Sequence, residues 1–317
     1  MYVWPPLPYA EWADTRETLH RWTQIVSKTR LALEPMVNHW WQVPFYVSAR
    51  GLTTSAVPHG RQGVLDVELD FLSHQLVVRT SDGGRRELAL APRSVADFYA
   101  DYRGALAALG VEARLWPVPV ELPGDALPFA EDRAHAVYDG AAAQRFWRVL
   151  AGLERVFRIF RGRFLGKVSP VHFFWGGFDL AVTRFSGRQA PPHRGGIPHV
   201  ADWVMREAYS HEVSSAGFWP GIPQAPEAVF YSYAYPEPAG YAEAPVRPAG
   251  AFYHRDMGEF VYPYEAMRAA ADPEAALLEF LQSTYEAAAG LAHWDRAALE
   301  RPEPQSPRSS EPGPRQP

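Results

Sequence analysis

The amino-acid sequence predicts an α+β fold: antiparallel β-sheet flanked by helices, in two similar halves that suggest an internal duplication. Three observations point there. Short alternating strands and a tight hairpin signal lie between helical stretches, the arrangement of an antiparallel sheet with helices at its ends. Residues 45–54 are echoed by 173–182, with Phe45 answering Phe173 and Leu52 answering Leu180 without a gap. Each half reads helix, hairpin, further strands, helix. The expected divisions are a first half at 1–116, a Pro- and acid-rich connector at 117–138, a second half at 139–300 and a disordered tail at 301–317.

Residues 15–36 form the first predicted helix, with Leu19, Trp22, Ile25, Val26, Leu31 and Leu33 as its apolar stripe and Pro35 as its stop. Strands follow at 44–49 and 52–57. In 64–71, Val67, Leu69 and Phe71 alternate with Asp66, Glu68 and Asp70, which marks a strand with one wet face. Residues 76–80 and 86–90 pair across Asp82-Gly83-Gly84. Pro92 opens a helix that Gly110 ends. Asp139 caps a helix over 140–164, apolar on one face and carrying Arg145, Arg148, Arg155, Arg158 and Arg161 on the other. Strands are predicted at 170–175 and 178–185 around Gly176-Gly177, then at 211–219 and 228–235, with a short helix at 200–208 between the two pairs. Asp272-Pro273 starts the last long helix.

Composition narrows the function classes. The chain has 317 residues, 47% of them hydrophobic, which is ample for a large core. Its 30 prolines argue against a helical bundle. Net charge is -5 and no basic block stands outside the tail, so no nucleic-acid partner is expected. The absence of cysteine removes disulfides, thiolate metal sites and cysteine nucleophiles. No signal peptide and no apolar run near the roughly 18 residues of a membrane span is present, so a cytoplasmic protein with no membrane partner is expected. Neither a Gly-x-Ser-x-Gly elbow nor a phosphate-cradling glycine spacing occurs, and no cofactor is expected.

The second half concentrates polar residues among aromatics. His172, Asp179, Arg184, His211 and Glu212 are the candidate catalytic residues, with Trp175, Trp219 and Tyr233 as ligand-binding partners. Histidine titrates near neutrality and a carboxylate orients it, which suits acid–base chemistry. Singly, each reads as a strand residue bonded to backbone. Together, polar groups in an aromatic-rich sheet are costly unless satisfied or used. The expectation is therefore that they converge on one cleft for a small polar ligand, with enzymatic use of His and carboxylate. A non-catalytic scaffold is the alternative. A His/carboxylate metalloenzyme is weaker, because the spacing fits no metal motif and no metal ligand is assigned.

The runs Lys167–Arg188, Pro35–Trp41, Gly51–Ser55 and Ser210–Gly221 are long and rich in Trp, His and Phe. Through them the chain resembles a bacterial family catalogued as a domain of unknown function, DUF5996, over nearly its whole length except the tail. The resemblance implies one full-length domain of that type and carries no activity across.

Overall fold

A computed structural model describes residues 2–122 and 127–302; the expected disordered tail lies outside the described residues from 303 onward. The architecture is α+β, with two antiparallel sheets of six strands each. The first half begins with helix α1 (Ala13–Leu33). Strands β1 (Tyr46–Val47), β2 (Gly51–Thr53), β3 (Val57–His59), β4 (Gly63–Asp70), β5 (Gln75–Thr80) and β6 (Arg85–Ala89) follow, and helix α2 (Val95–Ala108) closes it. Their sheet runs β1-β2-β4-β5-β6, with β3 paired to β4. Helix α2 starts three residues after Pro92, because the Ser94 hydroxyl takes the Asp97 N–H and sets the cap.

The second half begins with α3 (Gly140–Gly162), capped by the Asp139 carboxylate on the N–H groups of Ala141 and Ala142. Strands β7 (His172–Phe174) and β8 (Asp179–Gln189), helix α4 (Asp202–Ala208), and strands β9 (His211–Trp219) and β10 (Val229–Tyr235) come next. Strands β11 (Phe252–His254) and β12 (Glu259–Pro263), then helices α5 (Tyr264–Ala269), α6 (Pro273–Leu291) and α7 (Arg296–Leu299), complete it. The sheet order is β11-β12-β10-β9-β8-β7. Of the arginine row on α3, Arg145 pairs with Glu11, Arg155 with Glu274 and Arg158 with Glu154, and Arg161 caps the Ser169 carbonyl.

The two sheets are joined through β1 and β7. Phe45 and Phe173 exchange backbone hydrogen bonds, N–H to carbonyl at 2.8 and 2.7 Å, so the two echoed residues are direct partners. A single cluster of buried apolar side chains runs from Trp4 to Trp294 through both halves.

Helix α1 is buried on more than its apolar stripe. Leu31 and Leu33 are only half-buried, whereas Gln24, Ser27, Lys28 and Thr29 lie at most 1% exposed. Buried polar groups persist only with partners, and these hold loop backbone. Gln24 donates to the Val120 carbonyl and accepts the Val120 N–H, both at 2.9 Å. Lys28 donates to the Val118 carbonyl at 2.7 Å, and Ser27 to that of Val43. His20 Nε2 meets the Gly176 carbonyl at 2.8 Å. Helix α1 thus ties the connector, the 38–43 segment and the β7–β8 turn together. Those segments wall the cavity described next.

Candidate functional site

The second sheet has two differently used faces. Residues 179, 181 and 183 of β8 share one face with Ser215 and Gly217 of β9 and with Tyr231 and Tyr233 of β10, as the register Ala181↔Gly217, Thr183↔Ser215 and Tyr233↔Ser215 requires. The other face lies against α3 and α6. On the first face is a cavity of about 230 Å³. Trp40, Phe174, Trp175 and Tyr209 wall it with Tyr231 and Tyr233, and α4 with residues 197–200 covers it. Two carboxylates border it, Asp179 and Glu121; no Arg or Lys does, among the described residues.

Three glycines make the room. A Cβ on Gly176 would stand 2.0 Å from Glu121 Oε1, and one on Gly177 would stand 2.7 Å from Asp179 Oδ1 and 3.9 Å from Glu121 Oε2. A Cβ on Gly217 would reach the Tyr231 hydroxyl at 2.3 Å. Gly176-Gly177 is therefore more than a hairpin turn: it seats both carboxylates against one stretch of bare backbone.

The electrostatics follow from burial. Asp179 accepts a hydrogen bond from the Tyr231 hydroxyl. Burial raises its acid group to about 6 despite that bond. Glu121 is an exposed residue that borders two neighbouring cavities; crowding by surrounding protein and the nearby Asp179 raise its acid group to about 7. Glu259, on β12, is raised to about 7 by the same two causes. Burial holds His39 at about 4, hence neutral at pH 7. Two hydroxyl pairs complete the floor, Tyr209 with Tyr233 at 2.7 Å and Thr183 with Ser215 at 2.8 Å.

Backbone strain gathers here too. Non-glycine residues with φ near +60° cost on the order of 1 kcal/mol or more and concentrate at functional sites. Of the eight among the described residues, His39, Trp40 and Glu121 line the cavity, and Phe178 and His199 sit in segments that do.

Of the residues singled out from sequence, the fold brings Asp179, Trp175 and Tyr233 to this cavity. Trp219 donates to the Gly177 carbonyl at 3.1 Å and borders a second cavity next door. His172 shares the face through its pairing with Ala181 but is 1% exposed, ringed by Trp41 and Phe174, and held at about 3 by burial and by neighbouring His39, Arg30 and Arg161. Arg184 is not brought there. Strand alternation turns it to the helix face, where it donates to the Phe160 carbonyl with its guanidinium 3.5 Å from the Phe160 ring centre and 4.3 Å from that of Tyr285. His211 is exposed at the start of β9, 3.1 Å from the Ser210 hydroxyl. Glu212 pairs with Arg188 at 2.7 Å, on the opposite parity from Ser215. Among the described residues no three His, Asp or Glu side chains gather as a metal site.

Sequence reasoning missed Glu121, Tyr209 and His39, which line the cavity, and Glu259, which lies on the same sheet face. Glu121 lies in a connector that reads as a boundary, and its N–H is fixed by the Pro198 carbonyl, a contact no local pattern announces. Tyr231 carries no local signal of its own; its place is set by the register with Gly217.

The chain belongs to the family of unknown function DUF5996, whose model matches residues 4–301. Comparisons with curated proteins and with solved structures gave no match. No helix among the described residues is long and apolar enough to cross a membrane.

Proposed function

We propose that this protein binds a small organic cation, carried on an alkylammonium group, in the cavity bordered by Asp179 and Glu121. The observation that carries the reading is two carboxylates bordering a cavity with aromatic walls and, among the described residues, no Arg or Lys in its lining. Desolvated carboxylates attract an ammonium strongly, and faces of Trp and Tyr add cation–π attraction. A volume of about 230 Å³ is below the ordinary range for drug-sized ligands, so the ligand has few heavy atoms. Strained backbone at His39, Trp40 and Glu121 supports a used site over a packed one.

Isothermal titration with n-butylamine and benzylamine tests this. Binding tighter than about 1 mM to wild type, lost in Asp179→Asn, is the expected result. Failure of every small amine to bind would leave the scaffold reading. The raised acid groups of Asp179 and Glu121 favour a second reading, general acid–base catalysis on the bound cation. Carbon-bound deuterium incorporation in D2O into aminoacetone, whose C–H bonds beside the carbonyl are acidic enough to exchange, faster than without protein and not accelerated by Asp179→Asn, would support it.

Two further parts of this reading come from the sequence. An internal duplication is supported by the echo of 45–54 in 173–182, by the mutual bonds of Phe45 and Phe173, and by the order helix, antiparallel strands, helix in each half. Superposing α1 and its first hairpin on α3 and its first hairpin should bring Phe45 onto Phe173. Cytoplasmic location is part of the same proposal and is tested by cell fractionation.

A further inference from the structure

The strand register divides the floor of the Asp179 cavity into rows. One row is Ala181, Gly217 and Tyr231; the next is Thr183, Ser215 and Tyr233. Asp179 stands two residues before Ala181 on the same strand face, so the carboxylate marks one end of the floor and the second row the other. Tyr231 crosses Gly217 and gives its hydroxyl to Asp179. Tyr233 lies beside it, with ring planes 19° apart and ring centres 6.2 Å apart, and its hydroxyl meets that of Tyr209 at 2.7 Å. The carboxylate end and the hydroxyl end of one cavity are therefore separated by about the spacing of these two rings.

The hydroxyl end has its own chemistry. Ser215 sits against Tyr233 and bonds Thr183 at 2.8 Å, so four hydroxyls lie in a row. Each carries one O–H, and a row of four spends at most three of them on its own links, so it keeps a donor, besides lone pairs, to spend outside itself. Thr183 and Ser215 are 3% exposed, whereas Tyr209 and Tyr233 are half-buried and line the cavity, which makes the tyrosines the accessible end of the row. A group that both donates and accepts matches them, and an alcohol does both. A carboxylate would bring another negative charge to a chamber that already has Asp179 and Glu121 and, among the described residues, no Arg or Lys in its lining.

We propose that the Tyr209–Tyr233 hydroxyl pair is a subsite for an alcohol group, so that the ligand is a small amino alcohol whose ammonium lies at Asp179 and whose hydroxyl lies at the two tyrosines. This deepens the cation reading and rests on it for the ammonium end. The hydroxyl end stands on the tyrosine pair alone. Bonds near 1.5 Å let a chain of roughly three to five carbons span the distance between the two ends.

Titration calorimetry of the full chain compares 3-aminopropan-1-ol, 4-aminobutan-1-ol and 5-aminopentan-1-ol with the alkylamines of equal length, n-butylamine, n-pentylamine and n-hexylamine. At least one amino alcohol should bind about fivefold or more tightly than its alkylamine, the net worth of one hydrogen bond. In the Tyr209→Phe, Tyr233→Phe double variant that ratio should fall to about one, whatever happens to the alkylamine itself. Removing both partners of a hydrogen bond while keeping both rings is close to neutral for the fold. Should the variant nonetheless fail to fold, the wild-type ratios alone decide. If alkylamines bind and no amino alcohol is favoured, or if the preference persists in the double variant, the alcohol subsite is overturned and the cation reading survives. Tighter binding of 4-aminobutanoate or 1,4-diaminobutane than of every amino alcohol overturns it as well, because the far end then takes a charge. If 1,4-butanediol binds, is weakened in the double variant, and no amine binds, the cation reading fails, and the amino alcohol with it, while the hydroxyl end stands. If nothing in the series binds, both fail.

Discussion

Two sheets of the same chain use carboxylates in opposite ways. On the first, Asp66, Glu68 and Asp70 alternate with the buried Val67 and Leu69 and meet arginines: Arg79 bonds Asp66 and Glu68, and Arg50 bonds Asp70. On the second, Asp179 and Glu121 border the aromatic cavity and Glu259 lies on the strand face that Tyr231 shares, and none of the three has an arginine or lysine ion-pair partner among the described residues. The acid groups diverge accordingly. Burial pushes Asp70 up, but bonds from Arg50 and from the Ser73 and Leu72 backbone pull it down to about 2. Asp179 has the Tyr231 hydroxyl and its own backbone N–H to set against burial and ends near 6. Environment decides the role: carboxylates paired with arginine stabilise a fold, and carboxylates crowded by protein without such a partner are costs that a function explains.

The glycines separate in the same way. Gly51 answers Asp179 in the echo, and a Cβ there would stand 1.8 Å from the Leu69 carbonyl, so the first sheet closes at that point. The second sheet carries its glycine across the ladder, at Gly217, and opens room for Tyr231 and Asp179.

The sharpest way to break this contrast is Asp179→Asn. Amine binding should fall by about 100-fold or more, because a buried charge pair loses one member. Stability at pH 8 should rise, on the order of 1–3 kcal/mol. The sign follows from the raised acid group. Between about pH 4 and 6 the folded state holds a proton that the unfolded state has lost, so wild-type stability drains as pH rises through that window, and Asn removes the drain. Chemical denaturation at pH 5 and pH 8 measures it.

Gly217→Ala comes next. Its Cβ would press on the Tyr231 hydroxyl and on the Leu180 carbonyl, costing about 1–3 kcal/mol and weakening amine binding. Denaturation beside calorimetry reads both.

Asp70→Asn should mirror Asp179→Asn with the opposite sign. Asp70 contributes stability above about pH 4 that is lost as pH falls toward 2. The loss at pH 7 should be about 1–2 kcal/mol, discounted because Arg50 is half exposed, with amine binding unchanged. Smallest is His211→Ala. This histidine is exposed, so stability should move by no more than about 0.5 kcal/mol and binding not at all.

The α+β class and most elements were legible because alternation, caps and hairpin glycines are local signals. Asp179, Trp175 and Tyr233, which line the candidate site, were legible because the first two flank the Gly176-Gly177 turn and Tyr233 lies in an aromatic strand. Arg184 and His211 misled for one reason: strand residues are read in order, while a cleft takes only one parity over a limited length. Glu121 was illegible because its place depends on Gln24 and Lys28 of α1 holding the connector across about ninety residues of chain. Glu259 was illegible because β12 is only five residues long and ends in Pro263, which weakens any strand signal.

The central claim is that Asp179 and Glu121 are unpaired in order to receive a cation, and its most direct test is the pH dependence of n-butylamine binding. Affinity should rise from pH 5 to pH 8 as the groups near 6 and 7 lose their protons, and the rise should vanish in the Asp179→Asn, Glu121→Gln double variant. Affinity that is flat across that range in wild type, or that survives in the double variant, would contradict the account.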